Sequence, residues 1–273
     1  MPTPFEPLQL TLFNASVLTL AGFAAGIVNT LAGSGSVFTL STLIFFGLPV
    51  NIANGSNRVG TSLQALVAVG VFRKNDKSLF KWSLPFLIPS VTGAMLGAYL
   101  AIFLNNEVFK VVLGGIMIFL LFLILINPKK GLKEVVEEST KQNKWITWPV
   151  FFGIGFYGGF IQAGIGILLL VSLVSIAKFT MVKANIVKIV IVLAYSIPVF
   201  FIYVYDNQID WAAGGFLALG QLIGSYLAAR FAVKNPHANT WIRKLLIGMI
   251  CLTIAKLFGG LDWLGDMVGA WFT

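Results

Sequence analysis

Long apolar runs separated by short polar clusters dominate the chain, and their lengths predict helices rather than strands. In the first half they run Leu10 to Leu31, Val37 to Leu48, Val59 to Phe72, Leu84 to Leu104 and Val108 to Ile126. The second half repeats the series as Trp148 to Gln162, Ile165 to Ala177, Ile186 to Tyr205, Trp211 to Ala229 and Trp241 to Phe258. A helix needs about 20 apolar residues to cross a bilayer. The second run of each half has only 12 or 13, so these two are expected as half-helices or re-entrant arms.

The halves also match in detail. Gly93 and Gly97-Ala98-Tyr99-Leu100-Ala101 correspond to Gly220 and Gly224-Ser225-Tyr226-Leu227-Ala228 at a constant offset of 127. Gly26-Ile27-Val28-Asn29, then Gly33-Ser34-Gly35, corresponds to Gly159-Phe160-Ile161-Gln162, then Gly164-Ile165-Gly166. Charge sets the topology. Of 19 Lys and Arg, 15 fall in four segments, Arg73 to Lys81, Lys129 to Lys144, Lys178 to Lys183 and Arg230 to Lys244. Cytoplasmic loops retain such residues, which leaves the loops of Glu107, of Asp206 and Asp210, and of Asp262 and Asp266 outside, with both termini. The halves then run in opposite senses. The expected fold is all-α, a polytopic helical membrane protein of two inverted repeats. Each repeat is a broken or re-entrant helix pair followed by three spanning helices. Residues 1–127 form the first repeat, 128–146 a cytoplasmic linker, 147–262 the second repeat and 263–273 a short interfacial tail. Transporters of this plan hold their substrate near the midplane, between the repeats.

Composition narrows the classes further. Hydrophobic residues make up 58% and charged residues 11%, against about 25% charged in soluble domains; mean hydropathy is +0.89. Soluble, disordered and coiled-coil classes are excluded. No basic residue precedes the first apolar run, so the N-terminus reads as mature protein rather than a secretory signal. One cysteine, Cys251, and one histidine, His237, offer no internal disulfide and no multi-histidine metal site. No cofactor, metal or nucleic acid is expected. All seven tryptophans sit at segment ends or in the tail, where amphipathic rings settle at headgroup level.

The informative chemistry begins with an absence. None of the ten carboxylates lies in an apolar run, which disfavours a cation as cargo because a buried positive ion needs negative charge or many carbonyls. It also disfavours an intramembrane enzyme, since general acid-base groups are lacking. Two cations sit deep instead: Arg58, before a run of 14 residues to Phe72, and Lys188, at the matching place of the other repeat. A charge at the bilayer centre costs about 2.5–3.5 kcal/mol on insertion scales. A bound anion would offset that cost; snorkelling, Arg58 outward and Lys188 inward, is the competing explanation. The turns Gly33-Ser34-Gly35-Ser36 and Ala163-Gly164-Ile165-Gly166 interrupt apolar runs, and are expected to leave free backbone N–H groups that attract anions. Close helix packing explains such glycines too. Asn29, Ser34, Ser36 and Gln162, with Asn54, Ser56, Asn57 and Asn185 before the third runs, could add neutral donors. The candidate substrate-binding set is Arg58, Asn29, Gly33, Ser34, Gly35, Ser36, Ser56, Asn57, Gln162, Gly164, Gly166, Asn185 and Lys188.

With these residues identified, the chain resembles the TauE/SafE family of membrane permeases over nearly its whole length. The resemblance rests on Ala25-Gly26-Ile27-Val28-Asn29-Thr30-Leu31-Ala32-Gly33-Ser34-Gly35-Ser36, on Asn54-Gly55-Ser56-Asn57-Arg58, and on Gly158-Gly159-Phe160-Ile161-Gln162-Ala163-Gly164-Ile165-Gly166. The second repeat departs from the family's usual pattern at Asn185-Ile186-Val187-Lys188. Resemblance implies export of sulfite or a small organosulfonate through the cell membrane. The expected activity is secondary transport by alternating access, with an uncoupled anion channel as the alternative. A proton or a sodium ion is the candidate coupling partner, and a homo-oligomer the candidate assembly. On this reading Arg58→Ala abolishes transport and leaves folding intact.

Overall fold

The computed structural model describes residues 7–75, 78–126 and 144–232. Among them the chain forms helices and no strands: α1 (Leu12–Leu31), α2 (Ser36–Phe45), α3 (Val50–Asn75), α4 (Leu79–Phe103), α5 (Asn106–Ile126), α6 (Lys144–Phe160), α7 (Ile165–Ser175), α8 (Met181–Tyr205) and α9 (Trp211–Ala232). The tenth apolar run, the C-terminal tail and most of the linker fall outside the described residues. By length and apolarity α1, α4, α8 and α9 can each cross a bilayer. α2 and α7, with 10 and 11 residues, span only about 15–17 Å at 1.5 Å per residue, half of a hydrocarbon core.

Two helices start earlier than the apolar pattern predicts. α3 begins at Val50 and α8 at Met181, ahead of the runs from Val59 and Ile186, so Arg58 and Lys188 lie inside helices. Polar residues do not end a helix when buried neighbours satisfy them: Asn54, Ser56 and Asn57 on α3 are all buried and hydrogen-bonded. The Thr180 hydroxyl starts α8 by accepting from the Lys183 N–H. α6 starts at Lys144, inside the expected linker.

Glycines fix which helices touch. A Cβ on Gly22 or Gly26 of α1 would strike the Leu217 or Gln221 carbonyl of α9, and one on Gly220 or Gly224 of α9 would strike the Thr19 or Phe23 carbonyl of α1. Gly93 and Gly97 of α4 meet Phe152 and Phe156 of α6 in the same way, while Gly155 and Gly159 of α6 meet Ser90 and Ala94 of α4. Glycines four residues apart on facing helices let the backbones touch, and that contact drives membrane-helix association. α3 then packs against α9, α8 packs against α4, and α3 meets α8 along a central seam. α1, α3 and α9 thus form one body and α4, α6 and α8 another.

Large apolar side chains cover the outside, among them Leu84, Ile88, Phe103, Phe119, Phe122, Phe201 and Ile223. Such a girdle suits a hydrocarbon solvent. Polar and charged residues are inside: Asn54, Arg58, Thr61, Gln64, Gln162, Lys188 and Gln221 are all buried.

Candidate functional site

The break after α1 begins when the Ala32 and Gly33 N–H groups both turn back to the Val28 carbonyl, at 2.7 and 2.9 Å. Gly33 then adopts φ +83°, and Gly164 at the other break adopts φ +69°, left-handed conformations that favour glycine. The breaks meet. The Gly166 N–H donates to the Gly33 carbonyl at 2.8 Å, and a Cβ on either residue would collide with the backbone of the other.

Several of the N–H groups at and just after these turns are engaged within the protein. Ser36 N–H donates to Asn29 Oδ1 at 3.2 Å, Val37 N–H to the Ser34 carbonyl, Phe38 N–H to the Gly35 carbonyl and Ile167 N–H to the Gly164 carbonyl. An amide away from water finds a partner inside the protein, so these donors serve the turns themselves. Asn29 Nδ2 also reaches Ser36 Oγ at 3.4 Å.

Both deep cations are buried, and each ties the two bodies together. Arg58 is 0% exposed, so it does not snorkel. Its Nη1 donates to the Gly158 carbonyl at 2.7 Å and to Gln162 Oε1 at 3.3 Å; its Nη2 donates to the Gly159 carbonyl at 2.8 Å and to Asn54 Oδ1 at 3.4 Å. The guanidinium also lies over the Tyr203 ring, 5.3 Å from its centroid. Gly158 and Gly159 are in the last turn of α6, where unpaired carbonyls gather and the helix dipole is negative. Arg58 of α3 therefore caps α6.

Lys188 repeats the arrangement in the other direction. Its Nζ donates to the Asn29 carbonyl at 3.2 Å, the Thr30 carbonyl at 3.4 Å and Asn185 Oδ1 at 2.7 Å. Asn29 and Thr30 close the last turn of α1, so Lys188 of α8 caps α1. At 1% exposure it does not snorkel either. Neither cation needs an anion merely to be tolerated, because a broken helix end supplies a neutral partner.

A cavity of about 30 Å³ lies beside Lys188, room for about two water molecules. Asn29, Gly33, Ser36, Gln162, Gly166 and Lys188 of the candidate set line it. Arg58 does not reach it, but connects through Gln162, whose Oε1 also accepts from the Thr61 hydroxyl at 2.8 Å. Asn185 stands behind Lys188. The other candidates lie elsewhere: Ser56 Oγ accepts from the Asp210 N–H at 2.8 Å, Asn57 Oδ1 accepts from the Thr39 hydroxyl at 2.6 Å, and Gly35 and Gly164 pack against Ala25 and Leu120. The Ser34 hydroxyl is buried with no hydrogen-bond partner.

Three polar lining residues were missed from sequence: Thr30, Gln64 and Ser225. The Thr30 and Ser225 hydroxyls are 3.0 Å apart, and Ser225 Oγ donates to the Gln64 carbonyl at 3.1 Å. The signal was present on α3, where Asn54, Arg58, Thr61, Gln64, Ala65 and Ala68 recur at helical spacing on one face. Starting that helix at Val50 reveals the stripe.

The chain matches the family model for the sulfite exporter TauE/SafE over residues 18–257. Among curated relatives, a probable membrane transporter protein of Sinorhizobium sp is 26% identical, covering 87% of this chain and 89% of its own. One of Haemophilus influenzae is 25% identical, covering 91% and 96%, and one of Bacillus subtilis 23%, covering 90% and 98%. No solved structure matches the chain.

Proposed function

The chain belongs to the TauE/SafE family, and from that premise we propose that it exports a small sulfur-containing anion, sulfite or an organosulfonate, as a secondary transporter. The observation that carries this reading is a buried lysine at a cavity where two broken helices meet, with Asn29, Ser36, Gln64, Gln162 and Ser225 among its lining. An oxyanion there would accept from the Ser36 hydroxyl and the side-chain amides of Asn29 and Gln162, and from the Lys188 ammonium and Ser225 hydroxyl once each exchanges a present bond to a carbonyl, converging donors that suit it. Because the cavity holds only about two waters, entry requires helix movement, which favours alternating access over a standing pore.

The helix pairing supports two inverted repeats. Exchanging α1, α2, α3 and α4 with α6, α7, α8 and α9 turns the α1–α9 contact into α6–α4 and the α3–α9 contact into α8–α4, both of which exist. The basic ends of α3 and α9 face the cytoplasm of a cell membrane on the positive-inside argument.

The test is flux of sulfite and methanesulfonate in proteoliposomes. Lys188→Met should lower it at least tenfold while removing only one helix cap, about 0.3–2 kcal/mol. Wild-type flux in that variant removes Lys188 from the site. Uphill movement driven by an imposed proton or sodium gradient marks a transporter; flux that follows only the anion's own electrochemical gradient marks a channel.

A further inference from the structure

The two cations tie the seam between the two bodies from opposite sides. Arg58 sits nearer the end of the bundle that carries Asp206 and Asp210, and Lys188 nearer the end that carries Arg73, Lys183 and Arg230. Each belongs to one body and caps a helix of the other. Between them lies the Gly166 to Gly33 backbone bond. The two ends are closed by different means. At the acidic end, polar contacts cross the seam: Asn54 Nδ2 donates to Tyr203 Oη at 2.7 Å and to the Phe160 carbonyl at 2.8 Å, beside the three bonds of Arg58 to Gly158, Gly159 and Gln162. At the basic end the seam beyond the cavity is apolar, with Ala68, Val69 and Phe72 against Ile189 and Val190. A cavity lies on the Lys188 side. On the stretch of α3 that carries Arg58, two buried donors have no hydrogen-bond partner, Arg58 Nε and Asn57 Nδ2. An unpaired buried donor is costly, and here it marks a place built to receive an acceptor.

Resting on the transporter reading above, we propose that Arg58 and Lys188 are two half-sites of one oxyanion path, exposed alternately to opposite ends. In the state shown the Lys188 half-site is formed and the Arg58 half-site is shut. Rocking of α1–α3–α9 against α4–α6–α8 loosens one helix cap as it tightens the other. The helix C-terminus is a placeholder, partly neutralising whichever cation is not holding the anion. Asn54 and Tyr203 form the latch at the acidic end.

The experiment needs no substrate to read the latch. In a Cys251→Ser background, Ala68→Cys reports on the basic end of the seam. Val199→Cys, on the α8 face between Tyr195 and Tyr203, reports on the acidic end. A membrane-impermeant maleimide is applied to each side of oriented vesicles. Both reporters are buried in the state shown, so each reads opening of its end: before the latch is cut, Ala68→Cys should react from the basic side faster than Val199→Cys reacts from the acidic side. Combining Asn54→Ala with Tyr203→Phe should raise Val199→Cys labelling from the acidic side about tenfold, and lower Ala68→Cys labelling by a similar factor. That is the shift expected from losing one or two hydrogen bonds across the seam. If the double variant fails to fold, judged by gel filtration, Arg58→Lys is substituted, since a single ammonium cannot hold two carbonyls in a fork. Labelling of Val199→Cys that does not change, or labelling of both reporters that rises together, overturns the proposal. Methanesulfonate and sulfite flux in the same vesicles separates the two ideas: exchanged labelling without flux of either anion removes the transported class and leaves the seam, whereas flux without exchange removes the seam alone.

Discussion

Replacing Arg58 with alanine tests the role of the buried guanidinium directly. The expectation from sequence was lost transport with intact folding; the geometry replaces it. Removing the side chain leaves the Gly158 and Gly159 carbonyls, the two short bonds at 2.7 and 2.8 Å, without a donor. Charge-assisted hydrogen bonds contribute about 1.5–3 kcal/mol in mutational series, though polar pairs inside membrane proteins average nearer 0.6 kcal/mol. The Tyr203 ring adds about 2 kcal/mol for a desolvated cation–π contact. Together these put the loss at roughly 3–5 kcal/mol, the range seen when one partner of a buried pair is removed. For a chain of this size that corresponds to a fall in Tm of roughly 10 °C. Thermal unfolding of the purified protein in detergent measures it, followed by intrinsic tryptophan fluorescence. Arg58→Lys keeps the charge but not the fork, and should fall between. An alanine variant that unfolds within about 2 °C of wild type would show that the carbonyls of α6 do not depend on Arg58 and that the cap is incidental.

Other outcomes follow from the same contacts. Gly33→Ala should sharply reduce both stability and flux, because its φ of +83° is strained for alanine and its Cβ meets the Gly166 backbone. Gly47→Ala has a similar φ, +87°, but open space around it, so it should cost only about 1 kcal/mol and leave flux unchanged; equal effects in a paired thermal and flux assay refute the importance of the Gly33 contact. Asp210, 2% exposed, accepts from the Ala212 and Ala213 N–H groups at the start of α9 and from Leu8 N–H at 2.8 Å. Asp210→Ala should therefore destabilise by about 0.5–2 kcal/mol and increase proteolysis near Leu8, while Asp210→Asn should retain most of the cap.

Much of this architecture was legible because hydrocarbon imposes simple rules. The short runs after Gly33 and Gly164 read directly as half-helices, and the glycine pairs at offset 127 proved to be points of backbone contact. The starts of α3 and α8 were not legible. Hydropathy treats Asn54, Ser56, Asn57 and Asn185 as loop material, whereas burial against α6, α9 and Lys188 makes them helical. The partners of Arg58 and Lys188 were hidden for a different reason. Backbone carbonyls carry no sequence signature, so a cation that caps a distant helix looks unpaired on the page. Asp210 shows the converse: it lies in a loop, as its flanking residues predict, yet it is buried because the helix it starts needs its oxygens.

The glycine contacts between α1 and α9, and between α4 and α6, mean that neither half of the chain keeps its closest neighbours when severed from the other. Each half contributes one partner to both interlocks, so the polypeptide's two halves are woven rather than juxtaposed. A gene cut between them should yield fragments that are unstable singly and regain their shape only when synthesised together.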